Sequence, residues 1–242
     1  MNNKGSQCSI KGKEYESKIY NIITKCYINN KRFNKQQYNE IGGCKSCNDI
    51  ICLYNKQSIP IEIKKMKSPD YMQCSIHYDN ENKKWIGSNK CKIPLESKSI
   101  FEKLLDDCVL FNSNIPPFFL RNITHLEWLK IKKGTKDFND TYIDCPNDTI
   151  KKLYSAKGCY YIQISDKGLY HLGNDICRFN VPEFICNQHL RVRIKVHSKN
   201  NAKGFCSLSV TISCKPKNIK DLPKSNYTLD NIKNLPTNLI YI

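Results

Sequence analysis

The chain has 242 residues, 40% of them apolar, enough for one sizeable core or two small ones. It carries 39 Lys and Arg against 22 Asp and Glu, a formal charge of +17, and so favours a polyanionic partner, most simply nucleic acid. No apolar run approaches the length of a membrane span, which argues against a membrane partner.

Met1–Ser6 has no apolar export segment, so the expectation is an intracellular protein, in cytoplasm or nucleus and not secreted. Its 14 cysteines are then free thiols. Residues 1–11 read as a loose start. Lys13–Ile28 reads as a helix, with Tyr15, Ile19, Ile22, Ile23 and Cys26 on one stripe and Asn29-Asn30 ending it. Glu14 and Glu16 lie near its positive end, and the helix dipole alone accounts for either acid. Lys31-Arg32-Phe33-Asn34-Lys35 is a basic loop, facing phosphate or solvent. Gly42-Gly43 permits a tight turn. Cys44-x-x-Cys47 has metal-pair spacing, but a structural zinc site needs a second pair, for which Cys52, Cys74 and Cys91 are the available thiols.

Asn48–Lys65 is the most informative stretch. Asp49 opens the apolar run Ile50-Ile51-Cys52-Leu53, Tyr54–Ser58 is a polar turn, and Ile59-Pro60-Ile61-Glu62-Ile63-Lys64-Lys65 follows. The pattern predicts two strands joined by a turn. Glu62 and Lys64, two residues apart, share one face of the second strand. If the strands pair, Asp49 approaches both, and two acids beside a lysine form a hard-cation site suited to Mg²⁺ and phosphate chemistry.

Asp49 followed by Glu62-Ile63-Lys64, with Gly42-Gly43 upstream, resembles the core of the PD-(D/E)XK nuclease superfamily. That superfamily includes many type II restriction endonucleases and the archaeal-type Holliday junction resolvases. Asn48 stands in place of the proline of its name, and the resemblance covers roughly the first third of the chain. It implies that Asp49, Glu62 and the carbonyl of Ile63 hold Mg²⁺, with Mn²⁺ able to substitute. It implies further that Lys64 stabilises charge or orients the attacking water. A glutamate on the first helix faces the metal in such families; Glu16 fits that pattern, with Glu14 the spare. A polar residue often follows on the helix after the lysine strand, which makes Gln73, together with Lys65, a candidate nucleic-acid contact.

Residues 79–92 read as a loop or hairpin around Trp85. Ser99-Ile100-Phe101-Glu102 has the form of a capping box ahead of an apolar helix face. Asn112–Pro117 breaks the pattern and suggests a boundary, dividing the chain into a 1–111 catalytic core and a β-rich 112–242 part. Lys130–Lys136 reads as a basic loop. Cys159–Ser165 and Leu169–Leu172 flank Asp166-Lys167-Gly168 as a hairpin. Leu190–His197 alternates, with Arg191, Arg193 and Lys195 on one face, a surface for DNA backbone or for solvent. Phe205–Cys214 alternates likewise, and the tail from Lys215 reads as poorly ordered or draped over the surface. Gly158–Ile162 and Tyr170–Gly173 loosely resemble a GIY-YIG signature, but an extra residue breaks the second half.

The expected fold is α/β, a restriction-endonuclease-like mixed central sheet flanked by helices, with C-terminal strands that either extend that sheet or recognise DNA. The expected function is Mg²⁺-dependent cleavage of double-stranded DNA, sequence-specific in the restriction or homing manner. A structure-specific resolvase is second, and a non-catalytic nucleic-acid-binding protein with a nuclease-like fold is third. A duplex with two strands to cut suits a homodimer.

Overall fold

The structure, a computed structural model, describes residues 4–34, 48–68, 70–107, 110, 121–134, 139–197 and 204–242. In chain order the first elements are α1 (Lys4–Ile23), β1 (Cys26–Ile28), β2 (Lys31–Arg32), β3 (Ile50–Tyr54) and β4 (Gln57–Lys64). Then come β5 (Tyr71–Asp79), β6 (Lys84–Gly87), α2 (Leu95–Asp106), β7 (Ile123–Thr124), α3 (His125–Gly134) and β8 (Thr141–Cys145). The chain ends with α4 (Thr149–Ala156), β9 (Tyr161–Ile164), β10 (Gly168–His171), β11 (Gln188–His197), β12 (Phe205–Pro216) and β13 (Ile240–Tyr241). The protein is therefore mixed α/β.

It divides into two compact units, each discontinuous in sequence. One comprises Met1–Pro69, Asn147–Asn187 and Pro216–Ile242; the other comprises Asp70–Pro146 and Gln188–Lys215. The division thus differs from 1–111 and 112–242, because β9, β10 and the tail belong with β1–β4, while β5 and β6 belong with β11 and β12. The breaker at 112–117 lies outside the described residues, as do Gly42-Gly43, Cys44 and Cys47.

The first unit is built on a four-stranded mixed sheet, in the order β10-β9-β4-β3. β3 and β4 form a two-residue hairpin in which Asn55 and Lys56 both have positive φ, 47° and 66°, the requirement of a type I′ turn. β9 pairs with β4 in parallel, Glu62 opposite Ile162, so the later hairpin extends the sheet that carries Glu62. Ile59, Ile61 and Ile63 are buried, and α1 packs Ile19 and Ile23 into the same core. The β9–β10 turn requires glycine at 168: φ is +106°, and a Cβ there would meet the Tyr227 carbonyl oxygen at 2.6 Å.

Several expectations fail here for local reasons. The N-terminal helix starts at Lys4, not Lys13, and ends at Ile23. Asn29 and Asn30, with φ of 49° and 60°, form the turn of a second tight hairpin between β1 and β2, not a helix stop. Lys31 and Arg32 are exposed, as expected, but they form strand β2 and not a loop, and Phe33 beside them is fully buried against Phe179. The tail is ordered: Leu222, Leu229, Leu235 and Leu239 are buried, and β13 pairs with β1.

The second unit has a six-stranded sheet, with β6-β5-β12-β11-β8 in order and β7 on β12. Residues 71–79 and 84–87 form the hairpin around Trp85. Helix α2 begins after Pro94, so Ser99 is interior and caps nothing; Glu102 instead accepts a hydrogen bond from the Gly87 amide at 2.7 Å. Lys130–Gly134 is helical, in α3, whose start is capped by the Thr124 hydroxyl accepting from the Glu127 amide. Among the described residues no helix is long and apolar enough to cross a membrane. The cysteines described, Cys52, Cys74 and Cys91 among them, are free thiols.

Candidate active site around Glu62

Strand β4 carries the site, and its alternation decides what points where. The carbonyls of Pro60 and Lys64 accept from the Tyr160 and Ser165 amides, so even-numbered residues of β4 turn their backbone polar groups toward β9. Ile63 therefore turns its own toward the β3 side. There its amide donates to Asp49 Oδ2 at 2.8 Å. Asp49 sits one residue before β3, where the ladder has ended, and its carboxylate takes the place of a strand partner. The Ile63 carbonyl points to the same side.

Glu62 is 3% exposed, and both of its carboxylate oxygens are occupied. Lys64 Nζ donates to Oε1 at 2.6 Å, and Lys157 Nζ donates to Oε2 at 2.9 Å. Burial alone pushes the Glu62 carboxyl up, but the two ammonium groups outweigh it and hold it below its usual value. In return, Glu62 holds both Lys64 and Lys157 above the usual lysine value despite their burial. Both ammonium groups also flank the buried Tyr154 ring, 5.8 Å and 5.9 Å from its centroid.

Asp49 is in a different state. Burial, reinforced by the Glu62 charge, pushes its carboxyl up to about 7. Glu16, half-buried on α1, is also raised, by burial and by Glu62, with Lys64 opposing. Its Oε2 is buried without a hydrogen-bond partner. Glu14 is exposed, so Glu16 is the α1 acid that faces the cluster. The structure thus brings together Asp49, Glu62, Ile63, Lys64 and Glu16, and adds Lys157, which sequence reasoning missed. Among the described residues no three His, Cys, Asp or Glu side chains stand close enough to hold a metal as they are.

The remaining candidates lie elsewhere. Lys65 is half-buried just past β4. Gln73 is on strand β5 of the second unit, because the chain enters a sheet after residue 70 and not a helix. Arg191 and Arg193 are tied to acids: Arg191 to Asp140 at 2.6 Å and to Asp70 at 3.3 Å, Arg193 to Asp70 at 2.8 Å. Gln73 Oε1 accepts from Arg193 at 3.4 Å. Of Arg191, Arg193 and Lys195, Lys195 is the exposed one, and among the described residues no acid is paired with it. Two aspartates distant in sequence neutralise a face that strand alternation alone makes cationic. No protein-family model, curated protein or solved structure matches the chain.

Proposed function

We propose that the protein is a metal-dependent endodeoxyribonuclease with a restriction-endonuclease-like first unit, and that the Glu62 cluster is its active site. One observation carries this reading: Asp49, anchored on the Ile63 amide, stands beside Glu62 and Lys64 just before β3 begins in a mixed sheet, with Glu16 of α1 turned toward them. The charge distribution agrees with a polyanionic substrate. The unit that holds the cluster has 22 Lys and Arg against 11 Asp and Glu, and the other has 17 against 11.

A divalent cation fits the donor set. All the donors are oxygens, as Mg²⁺ or Mn²⁺ prefers. Three carboxylates face two ammonium groups, and the orphaned Glu16 oxygen and the Asp49 carboxyl, raised chiefly by burial and then by Glu62, are acceptors that a cation would engage. Asp49, Glu62 and the Ile63 carbonyl would hold the cation, which when bound polarises a phosphate oxygen and acidifies a water. Lys64 is kept protonated by Glu62, so it acts as a fixed positive charge against the oxyanion that develops on phosphorus, not as a proton acceptor. Glu16, with an unengaged carboxylate oxygen, orients the attacking water and receives its proton. Water oxygen bonds to phosphorus, and the bond from phosphorus to one ester oxygen breaks.

The second unit interrupts the first twice, between β4 and α4 and again between β10 and the tail, with a sheet of its own, more than cleavage alone requires. We read it as the part that selects the target, which favours discrete cleavage of duplex DNA, by a homodimer if both strands are cut together. The experiment is incubation of linear duplex and of four-way junctions with Mg²⁺. Cleavage of the duplex at discrete positions supports the reading. Cleavage of junctions alone favours a resolvase, and tight salt-sensitive binding with no cleavage favours a binding protein.

A further inference from the structure

Lys157 follows the last residue of α4 and precedes Gly158, whose φ is +81°. A cation at a helix C-terminus is stabilised by the dipole, and that would account for a lysine here with its ammonium in water. The Lys157 ammonium is instead on Glu62 Oε2, across 95 positions of sequence, with 12% of its side chain exposed. Both Glu62 oxygens are therefore already engaged by ammonium groups. A divalent cation on the same oxygen would stand close to the ammonium, so the two positive charges compete for it.

We propose that Lys157 is an exchangeable counter-ion, bound to Glu62 while the site lacks a divalent cation and transferred to the phosphate backbone of the substrate when a cation takes that oxygen. The proposal rests on the metal-dependent reading above. Lys64 shares β4 with Glu62 and stays beside it in either state. Lys157 comes from another element, so it turns away without moving the strand that carries Glu62. The Tyr154 ring face supports its ammonium while it does so. The charges also close. With a cation bound and all three carboxyls ionised, Asp49, Glu62 and Glu16 contribute three negative charges, and Lys64 and Lys157 two positive ones. One divalent cation and one phosphodiester bring the total to zero.

The test is binding, not turnover. Affinity for a short duplex is measured across a salt series, once in chelator and once in Ca²⁺, a hard cation that takes the same ligands. In wild type the log–log slope steepens by about one unit in Ca²⁺ relative to K157M, because one more lysine reaches phosphate. In chelator the two proteins share one slope, since Lys157 is then held by Glu62. Mn²⁺, titrated alone, binds K157M about tenfold more tightly than wild type, the repelling ammonium being gone. K157R keeps the wild-type slopes, and K157Q, which retains a hydrogen-bonding group for Glu62, replaces K157M if that variant does not fold. Equal slopes for wild type and K157M in Ca²⁺, with Mn²⁺ still bound through Glu62, would overturn the exchange alone. A K157M slope already shallower in chelator would overturn it too. Mn²⁺ binding indifferent to E62Q would remove the metal-dependent reading, and the exchange with it.

Discussion

Glu62 Oε2 accepts a hydrogen bond from Lys157 at 2.9 Å while its Oε1 accepts from Lys64 at 2.6 Å, so one buried carboxylate holds two ammonium groups. The pairing joins β4, which enters from the first third of the chain, to the end of α4, which returns after the second unit's first segment, Asp70–Pro146.

Removing Glu62 alone should therefore be costly to the fold. E62Q leaves two partly buried ammonium groups facing each other, and breaking such a pair from one side costs on the order of 3 kcal/mol. The double variant E62Q/K157M removes one of the stranded charges and should regain part of the loss. Urea midpoints of the two single variants and the double one give the coupling directly. Additive losses would mean that the pairing contributes nothing to stability.

Asp49 gives a pH signature. Its carboxyl is raised to about 7 from a free value of 3.8, chiefly by burial and then by Glu62. A raised acid contributes stability that is fully present below its unfolded pKa and is lost as pH climbs through the folded one. In chelator, wild type should lose stability relative to D49N between about pH 4 and pH 7, and D49N should melt higher above that window. Added Mg²⁺ at pH 8 should raise the melting temperature of wild type and not of D49N. Parallel melting curves across the range would mean that Asp49 ionises freely in the fold.

The arginines of β11 are paired with acids, so their removal should be felt in stability. Arg191 and Arg193 share Asp70, and Ser213 donates to the same carboxylate at 2.6 Å. R191Q with R193Q should cost about 1–3 kcal/mol, since Asp70 is left partly buried without its cations. K195Q, at an exposed position, should cost less than about 0.5 kcal/mol. A urea denaturation series separates the two cases, and an unaffected double variant would return these arginines to the role of free surface cations.

The hairpins show what a sequence discloses and what it hides. Asp166-Lys167-Gly168 is legible because the turn glycine is unavoidable at φ +106°. Asn29-Asn30 is ambiguous, because paired asparagines serve both to end helices and to turn hairpins, and only the short β1 and β2 strands decide the matter. The acids and Lys64 are legible because a strand's period of two fixes their face. Lys157 is not, because a lysine before a glycine at a helix end is ordinary, and only the parallel pairing of β9 with β4 brings it to Glu62. The neutralisation of Arg191 and Arg193 is hidden for the same reason: Asp70 and Asp140 are remote in sequence.

Gly168 offers a check on the sheet itself. G168A places a Cβ 2.6 Å from the Tyr227 carbonyl oxygen at a positive φ, so the β9–β10 turn must shift. The expected loss is about 1–3 kcal/mol of stability. Thermal melting measures it, and a variant as stable as wild type would contradict the close packing of residues 225–227 on that turn.

In the proposed reading, Asp49 and Glu62 hold a divalent cation that serves in cleaving DNA. The most direct measurement is cleavage of duplex DNA in Mg²⁺ by wild type, D49N and E62Q, with a chelator control and with each variant first shown to be folded. Cleavage is predicted for wild type alone, abolished by chelator and reduced at least about 100-fold in each variant. Cleavage by a folded D49N or E62Q at the wild-type rate, or by wild type in chelator, would contradict it.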